Sequence, residues 1–226
     1  MIKAIIFDFD GLILDTEYAE FGSWQQVYGE YGLEMLLDDW TSIIGSGAST
    51  IKWSPHDDLK VKLADKYDRE TIRERRKVVF DEYLSRETIM PGVKELIAEA
   101  EAAGFGLAVA SSSPREWVEG FLNKLGLRHH FSVVKTETDV INAKPDPELY
   151  LAAMEGLGVT THEAFALEDS ANGTTAAVAA GLFCITVPNR LTIHTDLTHS
   201  SLIVSSLADV TLRELCEMAE KFYMAE

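Results

Sequence analysis

Over its carboxy-terminal two-thirds this chain alternates short apolar runs with amphipathic segments, and that rhythm leaves it few folds. A strand buried on both faces reads as a continuous apolar run, and parallel strands need a crossover between them that is usually a helix. Residues 93–103 have helical spacing and stop at Gly104, and Phe105 to Ala110 reads as a buried strand. Ser113-Pro114-Arg115-Glu116 then gives a cap residue, Pro at the first helical position and Glu at the third. His130 to Val134, Ala164 to Leu167 and Phe183 to Val187 are further strand candidates. Between them, Asp146-Pro147 opens a helix to about Leu157, and Asn172 to Ala180 reads as a small-residue helix ended by Gly181. The pattern is that of an α/β protein with a parallel sheet.

Residues from about Thr16 to Glu87 break the rhythm. Strand signals are few, and Phe21, Trp24, Val27, Tyr28 and Tyr31 recur at helical spacing, as do Leu59, Leu63 and Tyr67. Aromatic stripes of this kind are core packing rather than cofactor boxes. A chain of 226 residues has room for an α/β core and a smaller insert. We therefore expect a core of residues 1–15 and 88–226, with residues 16–87 as a helical cap. An insert placed directly after the first strand would sit over the strand ends as a lid.

A net charge of -17 argues against a nucleic-acid partner and against anionic membranes, both of which would repel it. No basic segment followed by an apolar run opens the chain, and no apolar stretch reaches spanning length. Cytoplasmic residence without an anchor is expected. The two cysteines, Cys184 and Cys216, lie too far apart for metal spacing and read as reduced structural thiols. A monomer suits a capped protein that must open and close.

The chemistry starts at Ile5-Ile6-Phe7-Asp8-Phe9-Asp10-Gly11, an apolar strand running into two carboxylates two residues apart. Strand side chains alternate with period two, so Asp8 and Asp10 start on one face, where like charges repel. Asp and Gly are ordinary turn residues, which is the plain alternative. A calcium loop fails on spacing: counted from Asp8, it needs Gly sixth and an acid twelfth, whereas Gly11 is fourth and Ala19 twelfth. Polar residues mark three other strand candidates: Ser111 and Ser112 end the second, Lys144 follows the third, and Glu168-Asp169 end the fourth. Taken singly they are loop and cap serines, a solvated lysine and a helix N-terminal acid pair. Ligands of open α/β sheets bind beyond the carboxyl ends of the strands, so all four should converge. There the serines could cradle an anion, Lys144 could neutralise a carboxylate and a phosphate, and the acids could give Mg2+ its hard oxygens.

The four motifs, Asp8-Phe9-Asp10-Gly11 with Asp15-Thr16-Glu17, Ala110-Ser111-Ser112-Ser113, Lys144-Pro145-Asp146-Pro147, and Glu168-Asp169-Ser170-Ala171-Asn172-Gly173, occur in this order. With them the chain resembles the haloacid-dehalogenase-like superfamily, in its β-phosphoglucomutase-like branch. That resemblance implies a Rossmann-like parallel-sheet core with an inserted α-helical cap domain, Mg2+ as cofactor, and a small phosphorylated metabolite as substrate. It makes Asp8 the nucleophile that becomes an aspartyl phosphate, and Asp10 the acid and base. Ser111, the Ser112 amide and Lys144 would hold the phosphoryl group. Asp8, the Asp10 carbonyl and Asp169 would bind Mg2+, with Glu168 assisting directly or through water, and Asn172 would steady the acidic loop. An acid at the position of Asp10 argues against the family's pumps and dehalogenases.

Hydrolase and mutase share this core and differ in the cap. The family's β-phosphoglucomutases carry a His near the hinge and an Arg in a Gly-containing cap loop. Here Glu20 occupies the first position, and Ile43 to Thr50 contains no Arg. Arg73, Arg75, Arg76 and Lys77 read as a solvated helix face, and Lys52 is the better candidate for a distal phosphate. The expectation is a phosphatase for a small phosphomonoester such as a sugar or polyol phosphate, with β-phosphoglucomutase as the alternative.

Overall fold

The computed structural model describes residues 1–46 and 51–225. Among these, six parallel strands form one sheet: β1 (Ala4–Phe7), β2 (Gly106–Ala110), β3 (Val133–Lys135), β4 (Ala164–Glu168), β5 (Phe183–Thr186) and β6 (Leu202–Ile203). Their order is β3-β2-β1-β4-β5-β6. The chain steps outward from β1 through β2 to β3, then returns to the other side of β1 for β4. The sheet therefore reverses its winding at β1, and a crevice opens beyond the ends of β1 and β4.

Alternation along the strands builds two unlike faces. Ile5, Phe7, Leu107, Val109, Phe165 and Leu167 meet helices α5 (Val93–Ala102), α6 (Arg115–Lys124) and α9 (Leu212–Met224). The opposite face is made largely of alanine, with Ala4, Ala108, Ala110, Ala164 and Ala166 beneath α7 (Glu148–Leu157) and α8 (Ala171–Ala179). Small side chains let those two helices approach the sheet closely. This proximity brings Tyr150 of α7 and the start of α8 to the end of β4.

Between β1 and α5 lie α1 (Thr16–Glu30), α2 (Leu37–Thr41), α3 (Pro55–Leu63) and α4 (Arg69–Leu84). They surround their own apolar cluster, with Trp24, Val27, Tyr28, Leu59 and Ile72 buried at its centre. The basic stretch of α4 is not wholly a solvated face. Arg75 pairs with Glu30 at 2.7 Å, and Arg76 pairs with Glu20, both on α1.

Two local expectations change. The strand expected from His130 begins at Val133, because residues 128–130 form a tight turn whose His130 faces Glu101 at 2.8 Å. Ser113 does not cap α6; the helix starts at Arg115 after Pro114, and the serine hydroxyl is used elsewhere. No described helix is long and apolar enough to cross a membrane. Cys184 is buried and its thiol is pushed up to about 12, mainly by that burial.

Candidate active site

Asp8 leaves the sheet immediately after β1, and its backbone N–H donates to Leu167 of the neighbouring β4 at 2.9 Å. Because Phe7 is in register with Leu167, the next residues along both strands, Asp8 and Glu168, lie side by side. Lys144 closes the gap between them. Its Nζ lies 2.7 Å from Asp8 Oδ1 and 2.6 Å from Glu168 Oε1, and all three side chains are buried. Glu168 Oε1 also accepts from the Tyr150 hydroxyl, while Oε2 accepts from Asp169 N at 3.2 Å and Ser170 Oγ at 3.3 Å.

Asp8, Glu168 and Asp169 each offer an oxygen within 4.8 Å of the others. Three carboxylates against the single ammonium of Lys144 leave two uncompensated negative charges, the charge of one divalent cation. Asp169 Oδ2 accepts from Asn189 Nδ2 at 2.7 Å, but the buried Oδ1 has no hydrogen-bond partner. Such an orphan costs about 1–3 kcal/mol unless something else satisfies it. Hard oxygens, excess negative charge and an unsatisfied acceptor together fit Mg2+.

The electrostatics are consistent with that fit. Burial, then the Glu168 carboxylate, push Asp8 up to about 8 against the pull of Lys144. Burial and the charges of Asp8 and Glu168 hold Asp169 well above the ordinary carboxylate range. Burial pulls the Lys144 ammonium down, but Asp8 and Glu168 outweigh it and raise it above the usual lysine value. Without a divalent cation, the folded protein keeps a proton on Asp8 that the unfolded chain, at 3.8, has already released. Folding then takes up protons, so stability falls as pH rises through this window. Thermal melts should show Mg2+ raising the melting temperature more near pH 8 than near about pH 5. An equal rise at both would mean that the cation does not relieve this repulsion.

Gly11 makes room for the acidic loop. Its φ is +81°, and a Cβ there would fall inside the Asp169 carboxylate and 2.7 Å from Asn189 Nδ2. Gly11→Ala should cost about 1–3 kcal/mol through backbone strain and, by displacing Asp169, should raise the Mg2+ concentration needed for half-maximal binding. Denaturant melts and Mg2+ titration of the variant check both effects.

The Asp10 carboxylate is held apart from the three acids. Oδ1 accepts from Thr16 Oγ1 at 2.6 Å and from Trp117 Nε1 at 2.9 Å. Oδ2 accepts from Ser113 Oγ at 2.6 Å and Ser111 Oγ at 3.2 Å. Asp8, Asp10, Ser111, Ser112 and Lys144 all line one cavity of about 170 Å³, closed on its far side by Glu17, Glu20, Trp40, Ile43 and Ser46. The Ser112 hydroxyl donates to Gly45 O at 3.1 Å, tying this strand end to the insert. A groove of about 910 Å³ beside α5 contains none of these residues.

Asn172 does not steady the acidic loop as expected. Its amide donates to Ile44 O at 2.8 Å and Ser46 Oγ at 3.0 Å, so it too holds the insert. Asn189 steadies Asp169 instead. It lies three residues beyond β5, and the strand-end rule that collected the other residues would have found it. Trp117 and Tyr150 carried no such signal, because each reaches the site from a helix, and although Thr16 and Ser113 stand inside two of the four motifs, nothing in the spacing aims their hydroxyls at Asp10. Lys52 lines an adjoining depression with Trp53, Pro145 and Asn172 rather than this cavity. Of the expected Arg-free loop, residues 47–50 lie outside the described residues.

The family model for haloacid dehalogenase-like hydrolases matches residues 5–187. The chain belongs to that family. This haloacid dehalogenase-like hydrolase is 41% identical over 192 residues to the candidate phosphatase YhcW of Bacillus subtilis, covering 85% of the chain and 86% of the relative. It is 32% identical over 181 residues to the phosphorylated carbohydrates phosphatase of Thermotoga maritima, covering 80% and 82% respectively. The structure of a candidate β-phosphoglucomutase from Thermotoga maritima superposes with a TM-score of 0.75 at 28% identity, covering 96% of this chain and 99% of that one. The hydrolase thus lies in the β-phosphoglucomutase-like branch, with its Rossmann-like sheet and helical insert.

Proposed function

We propose that this hydrolase is a Mg2+-dependent phosphatase that cleaves a small phosphomonoester, a sugar or polyol phosphate, through an aspartyl phosphate on Asp8. The observation that carries the reading is the placement of Asp8 against Lys144, Glu168 and Asp169, with Asp10 held beside the same cavity. An Asp8 oxygen attacks phosphorus as the bond to the leaving oxygen breaks, and Asp10 gives that oxygen its proton. Water then attacks the phosphoryl group, Asp10 takes the water's proton, and Asp8 is restored. Ser111, the Ser112 amide and Lys144 hold the phosphoryl oxygens. Asp8, the Asp10 carbonyl and Asp169 would bind Mg2+. Glu168, already accepting from Lys144, Tyr150, Asp169 and Ser170, suits a role through water. Bound there, Mg2+ supplies charge for the developing negative oxygens.

Residues 16–87 would act as the cap over this cavity, and its chemistry favours an uncharged, hydroxylated leaving group. Its polar contributions from the insert include the Glu17 and Glu20 carboxylates and Ser46, and Lys144 is the one cation among its described lining residues. Arg76 lies behind Glu20 and is neutralised by it. A mutase must hold a second phosphate where these acids stand, so this arrangement favours hydrolysis. The name of the Thermotoga maritima phosphatase, at 32% identity, supports a carbohydrate phosphate.

The test is a Mg2+-supported phosphate-release screen over sugar and polyol phosphates, including β-glucose 1-phosphate, with coupled detection of glucose 6-phosphate. Free phosphate with the dephosphorylated sugar is the expected outcome. Glucose 6-phosphate formed from β-glucose 1-phosphate without phosphate release would establish the mutase reading instead.

A further inference from the structure

We infer that Trp117 is a positioning residue for Asp10, aiming the acid/base carboxylate through its indole N–H and registering it against the helical insert through its ring. The inference rests on the acid/base role proposed for Asp10. Trp117 stands in the first turn of α6, half-buried, with Nε1 2.9 Å from Asp10 Oδ1. Its ring is clamped from two directions. On the core side it meets Phe121 edge-on, centroids 4.8 Å apart, and Phe121 in turn stacks on Phe9, the residue between the two catalytic aspartates. On the other side it packs against Phe80 of α4, centroids 5.7 Å apart and planes 35° from parallel.

A purely apolar slot between Phe121 and Phe80 would be filled as well by phenylalanine. What tryptophan adds is a donor on the ring edge, and that edge points at Asp10. The other donor to Asp10 Oδ1, Thr16, belongs to α1, whereas Ser111 and Ser113 on Oδ2 belong to the core. Trp117 and Thr16 together therefore tie the same oxygen to both ends of the insert, since Thr16 opens its first helix and Phe80, against which Trp117 packs, lies near the end of its last. The direction of the proton-transferring carboxylate depends on the seating of the insert, which places acid catalysis under its control.

Proton donation matters most when the leaving group is a strongly basic alkoxide and little when it is a stable phenolate. Leaving-group release in a single turnover at saturating substrate reads the first step alone, before the base-catalysed hydrolysis that both substrates share, and should therefore be compared for the wild type, Trp117→Phe and Asp10→Asn on p-nitrophenyl phosphate and on the sugar phosphate that the wild type turns over fastest, starting with glucose 6-phosphate. Trp117→Phe keeps the ring and removes the donor. It should slow release of the sugar in that first step about 10- to 100-fold and release of p-nitrophenol no more than about 2-fold. Phe80→Leu, which loosens only the seat on α4, should shift the same ratio in the same direction by less.

A packing role would lower both rates together, or shift only the melting temperature, and that result in either variant would overturn the inference. Asp10→Asn separates the two levels. If it shows the selective loss and Trp117→Phe does not, the positioning role fails alone. If Asp10→Asn itself lowers both rates equally, or neither, the acid/base reading fails and the inference with it.

Discussion

Replacing Asp8 by Asn is expected to lower phosphate release by at least about 10⁴-fold while leaving the protein folded. The amide has nearly the same shape but lacks the anionic oxygen that attacks phosphorus. In the cation-free protein, the same substitution should raise the melting temperature. Asp8 is a buried carboxyl beside Glu168 and Asp169, pushed up to about 8 by burial and by Glu168, so folding must take up a proton there that an amide does not need. Loss of activity together with a gain in stability is the signature of a group held for chemistry rather than for folding. Retention of turnover would show that Asp8 is not the nucleophile.

The second large effect is expected at Lys144. Lys144→Met removes the ammonium that lies 2.7 Å from Asp8 and 2.6 Å from Glu168 in a buried setting. Breaking such a pair from one side costs about 3–5 kcal/mol, because the remaining charges are buried without a partner. Activity should fall by about 10²- to 10³-fold as well, through loss of a donor to the phosphoryl oxygens. Mg2+ should recover part of the stability and little of the activity. Denaturant melts with and without Mg2+, alongside phosphate release, separate the two losses. A variant that lost stability but kept kcat would confine Lys144 to a structural role.

Much of this architecture was legible before any coordinates. The sheet could be read because its strands are buried on both faces, so β1, β2, β4 and β5 appear as unbroken apolar runs. β6 escaped notice because two residues at a sheet edge carry no pattern, and the start of β3 was misplaced for a related reason at the opposite edge. The site residues at strand ends could be collected because topology alone carries them to one place.

What holds those residues in position was much less legible. Ser113, Thr16, Trp117 and Tyr150 act through side-chain directions, which depend on tertiary packing rather than on local spacing. Ser113 shows the difficulty. As part of Ser-Pro-Arg-Glu it has the form of a helix cap, yet its hydroxyl serves a carboxylate more than a hundred residues away in the chain. Arg76 is similar, since a helix stripe of basic residues gives no hint that one of them reaches Glu20 on another helix.

The covalent intermediate is the central claim, and it can be observed directly. Wild-type protein should be mixed with Mg2+ and a turned-over sugar phosphate, quenched in acid within a single turnover, digested and analysed by mass spectrometry. A phosphoryl group on the peptide containing Asp8, absent from the Asp8→Asn variant, is the expected result. Rapid single-turnover phosphate release with no phosphorylated peptide at any quench time, or a phosphoryl group on a different residue, would contradict it.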